Sequence, residues 1–72
     1  TPGGASGLMQ IRPGTATHTV KRFAIPDYRG PGQLLETETN INIGTSYWQY
    51  VYQQFGNNGI FATEAYNAAE AK

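Results

Sequence analysis

The chain has no cysteine, a single histidine and no surplus of charge of either sign. Without cysteine there is no disulfide to staple a small fold and no thiolate to hold a metal. One histidine, His18, excludes a histidine-rich metal site. Five Lys/Arg balance five Asp/Glu, which argues against a nucleic-acid partner, since that calls for a basic face. The same balance argues against docking on anionic lipid. No apolar run approaches the roughly eighteen residues of a membrane-spanning helix. No basic stretch leading into an apolar core marks a signal peptide. The chain opens on Thr1-Pro2-Gly3-Gly4 without an initiator Met and ends at Ala71-Lys72 in helical composition; both ends are expected to be cuts within a larger protein.

At 72 residues the chain is at most one small domain. Such a domain buries only about 60% of the surface its unfolded form exposes, so its core is marginal. A weakly charged surface suits an uncharged polar ligand such as a glycan, as it suits many other domains.

Alternation of apolar and polar residues is never sustained, so strands are not expected. Helical spacing recurs three times. The glycine-rich start reads as a loop, with Ser6 or Gly7 capping a short helical turn at Leu8. Pro13 suits the first turn of a helix, where its missing N–H costs nothing. That helix is expected over Pro13 to Phe23, with Ala16, Val20 and Phe23 on one face and Lys21 and Arg22 near its negative end. Pro26 to Gly32 reads as a loop. Thr37 is the expected cap of a long helix with Glu36 and Glu38 at its positive end. Ile41, Gly44, Trp48, Val51 and Phe55 form its apolar stripe, widened by Tyr47, Tyr50 and Tyr52. Gly56-Asn57-Asn58-Gly59 ends it with residues that accept left-handed backbone angles. A last helix, about Ile60 to Ala69, carries Ile60, Phe61, Ala65 and Ala68. The fold class expected is all-α, with about three helices.

Three segments are candidates for chemistry. In Gly7-Leu8-Met9-Gln10, the glycines at 3, 4 and 7 would let a ligand approach the backbone. Gln10 offers both a donor and an acceptor to a glycan's polar edge, and Met9 a soft apolar wall. The plainer reading is a tight turn with Leu8 and Met9 in the core. In Ala65-Tyr66-Asn67-Ala68, a phenol beside an acid would bias its proton affinity and Asn67 would read an acetamide. The plainer reading is a core tyrosine with its hydroxyl satisfied. Asn40-Ile41-Asn42-Ile43-Gly44 reads as structural, tying the long helix to the loop before it, with Gly44 allowing close helix contact. The aromatics of the long helix, Tyr47, Trp48, Tyr50, Tyr52 and Phe55, are of a kind that stacks on sugars, but at helical spacing they are expected to be core; Trp48 in particular is expected only to pack. A glycosidase acid needs an apolar setting, and Asp27, Glu36, Glu38, Glu64 and Glu70 all read as solvated surface groups. His18 reads as exposed, with no fitting nucleophile beside it.

Taken together, the string Gly4-Ala5-Ser6-Gly7-Leu8-Met9-Gln10-Ile11 followed by Pro13-Gly14-Thr15-Ala16, the Asn40–Gly44 segment and Ala65-Tyr66-Asn67-Ala68 resemble the lysozyme-like catalytic domain of soluble lytic murein transglycosylases over essentially the whole chain. The resemblance implies a partial domain of the goose-type lysozyme and transglycosylase fold. It implies a parent that cleaves the bond between N-acetylmuramic acid and N-acetylglucosamine in peptidoglycan, with one glutamate as acid and ring closure by the muramyl 6-hydroxyl, in the periplasm and without metal or organic cofactor. It places that glutamate upstream of Thr1, outside this sequence, so no catalytic residue is expected within the chain; Thr1 stands where relatives often have serine. It places Gln10, Met9, Thr15, Ala65, Tyr66 and Asn67 along the saccharide groove. Arg12 stands where relatives carry a saccharide-contacting methionine and is the remaining expected substrate-binding position. Trp48 stands where relatives often have leucine, and Ala69-Glu70-Ala71-Lys72 replaces the Gly-Pro-Gly continuation of relatives. The expected partners are glycan strands and the remainder of a larger parent chain. A non-catalytic glycan-binding or scaffolding module and a lysozyme-type hydrolase remain open.

Overall fold

The computed structural model describes residues 4–71, and among these no strand occurs. Three helices carry the chain: α1 (Pro13–Phe23), α2 (Thr37–Gln54) and α3 (Gly59–Glu70), with a short 3-10 helix (Pro31–Leu35) ahead of α2. The all-α expectation holds. The only extended pairing among the described residues is an isolated antiparallel bridge between Ser6 and Ile11.

That bridge corrects the start of the chain. The segment after Gly7 is not a capped helical turn. It is a tight reversal, closed by the Gln10 N–H donating to Gly7 O at 3.1 Å and by reciprocal Ser6–Ile11 bonds at 3.0 Å. α1 then begins and ends where its proline and basic residues place it: Pro13 is its first residue, and Ala24 closes it in a left-handed conformation with φ 50°.

Pro31 and Gly32 belong to the 3-10 helix, not to a loop. This helix runs into α2 through one extended residue, Glu36, so Thr37 is already the first helical residue and no side chain caps the helix. The first turn closes instead through Asn40 N–H to Glu36 O at 2.9 Å.

The buried face of α2 differs from the expected stripe. Asn40, Ile43, Gly44 and Val51 are buried, whereas Ile41 and Phe55 are 41% and 45% exposed. A step of one residue turns a helix by about 100°, and the step is set by Asn40. Its Oδ1 accepts from Met9 N–H at 2.8 Å. Its Nδ2 donates to Ser6 O at 2.7 Å and to Leu34 O at 2.9 Å. A side chain with three backbone partners takes the inward position and carries the helix face with it.

Two glycines make room for this junction. A Cβ on Gly7, at φ +80°, would fall 2.1 Å from Asn40 Nδ2 and 2.5 Å from Leu34 O. Gly7 therefore admits Asn40, where the sequence suggested a ligand; Gly4 is exposed, and Gly3 lies outside the described residues. A Cβ on Gly44 would meet Met9 Sδ at 2.5 Å, so the close approach at Gly44 is to the reversal and not, as expected, to another helix.

α3 begins at Gly59 because the Asn58 side chain accepts from Ile60 and Phe61 N–H at 3.0 and 3.1 Å. Its buried residues are Ala62, Tyr66 and Glu70. Of the apolar residues the helix carries, Ile60 and Phe61 are 72% and 56% exposed, and Ala68 is exposed with Ala65 half-buried. The core gathers Ile11, Ala16, Leu34, Ile43 and Tyr66, with Met9, Val20, Ile25, Tyr28, Tyr47 and Trp48 packed around it.

Replacing Asn40 by Ala strands one buried N–H and two carbonyls. Each unpaired group costs about 1–3 kcal/mol, and 1 kcal/mol shifts the midpoint of a domain this size by roughly 4–8 °C. Asn40→Ala is expected to lower the melting temperature by more than about 10 °C, read by circular dichroism; a loss within a degree or two would remove Asn40 from its central place.

Candidate functional site

Tyr66 joins the two segments singled out in the sequence. Its hydroxyl donates to the carbonyl of Met9 at 2.7 Å, across 57 positions of chain. This bond lays the reversal along the side of α3 and opens a hollow of about 590 Å³ between them. Leu8, Met9 and Gln10 of the reversal border it on one side, and Trp48 of α2 borders it as well. Thr63, Tyr66, Asn67, Glu70 and Ala71 form the remaining wall. Those five positions are spaced i, i+3, i+4, i+7 and i+8, the stripe that a helix turns to one side. The walls are mostly apolar with a few polar groups, the usual make-up of a small-molecule site.

Gln10, Asn67 and Thr63, all exposed, are polar groups at this hollow. Gln10 sits in a left-handed conformation, φ 50°, and its Nε2 donates to Gly7 O at 2.9 Å, which pins the side chain over its own turn. Tyr66 is only 8% exposed. Burial holds its phenol well above the ordinary tyrosine range, reinforced by the Glu70 charge and then by Tyr47. Tyr47, whose ring centroid lies 5.4 Å from that of Tyr66, is also raised: by burial first, then by the Glu70 charge and by Tyr50, with a hydrogen bond to the Glu70 carboxylate contributing.

Glu70 overturns its sequence reading as a solvated carboxylate. It is 3% exposed. Oε2 accepts from Arg12 N–H at 2.7 Å, and Oε1 accepts from the Thr15 hydroxyl at 2.7 Å. Arg12 is the cap residue of α1, and its own side chain makes no capping bond. Glu70 thus does from 58 positions away what the glutamate of a capping box does from within one helix. A negative group at a helix N-terminus also gains from the aligned peptide dipoles.

The expected site residues divide accordingly. Met9, Gln10, Tyr66 and Asn67 border one hollow. Arg12 and Thr15 border a separate one with Pro13 and Gly14; Glu70, which borders the first, accepts from both. Ala65 borders neither hollow. Thr1 lies outside the described residues. The sequence reading missed Glu70, Thr63, Leu8 and the position of Trp48 at the hollow. Reading the 63–71 stripe outward from Tyr66 would have found the first two.

The other carboxylates stand elsewhere. Asp27, Glu36 and Glu38 border a hollow formed by the α1–α2 connection and the start of α2, and Glu64 is exposed. His18 is exposed, its ring centroid 5.8 Å from that of Tyr50. Among the described residues no group of three or more His, Cys, Asp or Glu converges on a possible metal position. No helix among them is long and apolar enough to cross a membrane.

Comparison with known proteins gives a consistent picture. The transglycosylase SLT domain family matches residues 1–72. The chain is 81% identical over 72 residues to the soluble lytic murein transglycosylase of Salmonella typhimurium, covering 100% of this chain and 11% of that protein. It is 74% identical to the protein of the same name from Escherichia coli K12, with the same coverage. A putative soluble lytic murein transglycosylase of Haemophilus influenzae is 38% identical over 64 residues, 89% of this chain and 11% of that protein. Among solved structures, the 70-kDa soluble lytic transglycosylase of E. coli superposes with a TM-score of 0.91 at 75% identity, covering 99% of this chain and 12% of that one. A complex of the 70-kDa soluble lytic transglycosylase with bulgecin A also gives 0.91, at 78% identity over 94% of this chain and 11% of that one. The chain therefore spans about a ninth of the length of these relatives.

Two predictions follow from the clasp and the buried phenols. Glu70→Ala strands the Arg12 N–H and the Thr15 hydroxyl, and is expected to cost about 2–3 kcal/mol and to lower the melting temperature by roughly 10 °C or more. Tyr66 and Tyr47 have folded-state pKa values above the unfolded value of 10.0. Above that pH the unfolded chain releases protons that the folded chain keeps, so this stabilisation is full below about pH 10 and drains away as pH rises past it. Alkaline titration should show cooperative unfolding above about pH 10, with part of the phenolate absorbance appearing only as helicity is lost. Tyr66→Phe should weaken that alkaline sensitivity.

Proposed function

The chain belongs to the transglycosylase SLT domain family, and from that premise we propose that it forms one wall of the glycan groove of a peptidoglycan lytic transglycosylase. The parent enzyme in this reading cuts the bond between N-acetylmuramic acid and N-acetylglucosamine in the periplasm. A carboxylic acid protonates the glycosidic oxygen as that bond breaks. The muramyl 6-hydroxyl attacks the anomeric carbon, closes the 1,6-anhydro ring and returns its proton to the carboxylate. No cofactor is needed.

One observation carries the reading. The Tyr66 hydroxyl bond to the Met9 carbonyl holds two distant segments edge to edge, so Gln10 and Asn67 border one hollow. An amide on either side suits an acetamido sugar, which presents donors and acceptors along its edge. Met9 supplies an apolar contact, and Tyr66 acts by fixing the wall. Arg12 and Thr15 would extend the groove past the Glu70 clasp, and Ala65 would back it.

The acid belongs to sequence outside this chain. Glu70 is the carboxylate at the hollow, and its oxygens are committed to the Arg12 N–H and the Thr15 hydroxyl. For the 72-residue chain by itself this favours binding without turnover, the behaviour of a non-catalytic glycan module.

Incubation with purified sacculi is expected to yield no anhydromuropeptides, whereas titration with chitotriose is expected to move the amide resonances around Gln10 and Asn67. Product from this chain alone would refute the external acid. Unmoved resonances throughout would remove the groove.

A further inference from the structure

Trp48 is the one tryptophan in the chain, and it stands at the hollow with the core residues packed behind it. Its ring stacks on Tyr52, centroids 5.0 Å apart and planes 21° from parallel. The stacked phenol covers one face of the indole and fixes its tilt. What Trp48 offers the hollow is the rest of a large, half-buried ring, flat and held in place.

We propose that Trp48, braced by Tyr52, is a stacking platform for the apolar face of an N-acetylhexosamine, and that it sets the preference of the groove for amino sugars presented flat against that wall. The inference rests on the glycan-groove reading and adds a specificity-determining residue to it. A pyranose ring turns several C–H groups to one face. Their partial positive charge meets the negative face of the indole, and both surfaces leave water. Gln10 and Asn67 then lie at the same hollow as hydrogen-bonding groups for the acetamide and hydroxyls at the sugar's edge. An aromatic wall for the ring and amides for its substituents is the division of labour that saccharide recognition requires: the wall gives affinity, the amides give orientation.

The bracing matters to the argument. An unsupported indole would lose rotamer freedom on binding. Packed on Tyr52 and the core, it has lost that freedom already.

A single tryptophan makes the chain its own reporter. Titration with chitotriose, followed by tryptophan fluorescence and by the indole Nε1–H resonance, should shift the emission and move that resonance at the same concentrations that move Gln10 and Asn67. Trp48→Leu should bind roughly tenfold more weakly, while Trp48→Phe keeps most of the affinity. Trp48→Phe also guards against a folding defect, since it keeps an aromatic ring in place; the melting temperature of each variant is measured alongside. If Gln10 and Asn67 respond while the indole stays silent, or if Trp48→Leu binds as tightly as the parent, the platform is refuted and the groove stands. If no resonance in the chain responds, both fall together.

Discussion

The carboxamide of Asn40 is the constraint on which the rest of the molecule depends. It ties three pieces of chain to one another: the reversal at Ser6 and Met9, the end of the 3-10 helix at Leu34, and the first turn of α2. A hydrophobic side chain there would bury area but would leave an N–H and two carbonyls unpaired, and unpaired backbone groups are expensive in a dry interior. Its cost to the sequence is visible at Gly7, where no Cβ fits beside the amide. With Asn40 in place, the register of α2 is set, Met9 lies on Gly44, and the Met9 carbonyl is aimed at Tyr66.

From that point the fold closes on itself by polar contacts. Tyr66 reaches back to the reversal and Glu70 reaches back to α1, spanning 57 and 58 positions. The apolar residues of α3 do less: Ile60 and Phe61 stay largely exposed. A chain this short has little core to spare. Directed hydrogen bonds therefore supply positional specificity that a larger domain would draw from packing. The same two contacts shape the hollow, since one holds its edges together and the other fixes its far end.

How much of this was legible in the sequence follows from the kind of signal involved. α1 was legible to the residue, because Pro13 and the basic last turn are local markers. The link between Asn40 and the preceding loop was legible in outline, because a buried asparagine at a helix start must serve the backbone. The faces of α2 and α3 were not. Both were read from apolar spacing, and in both a polar residue with distant partners took the inward position, Asn40 in one and Glu70 in the other. Nothing local distinguishes a glutamate that will cap another helix from one that will face water. The Gly7–Gln10 and Ala65–Asn67 strings singled out two segments that the structure brings to one hollow, which Met9, Gln10, Tyr66 and Asn67 border. Trp48 was read as packing only, because a ring at helical spacing looks the same whether its far side meets protein or open space.

The reach of the Tyr66 and Glu70 contacts has a kinetic side. Local helix formation is fast, but both bonds join the beginning of the chain to its end, and the entropy of closing so long a loop must be met before either bond exists. Until the reversal meets α3 the hollow lacks one of its sides, because Leu8, Met9 and Gln10 lie far along the chain from Thr63, Tyr66 and Asn67. Any molecule that bound between the two segments would favour the closed arrangement over the open chain, and the helices would feel that occupancy as added cohesion.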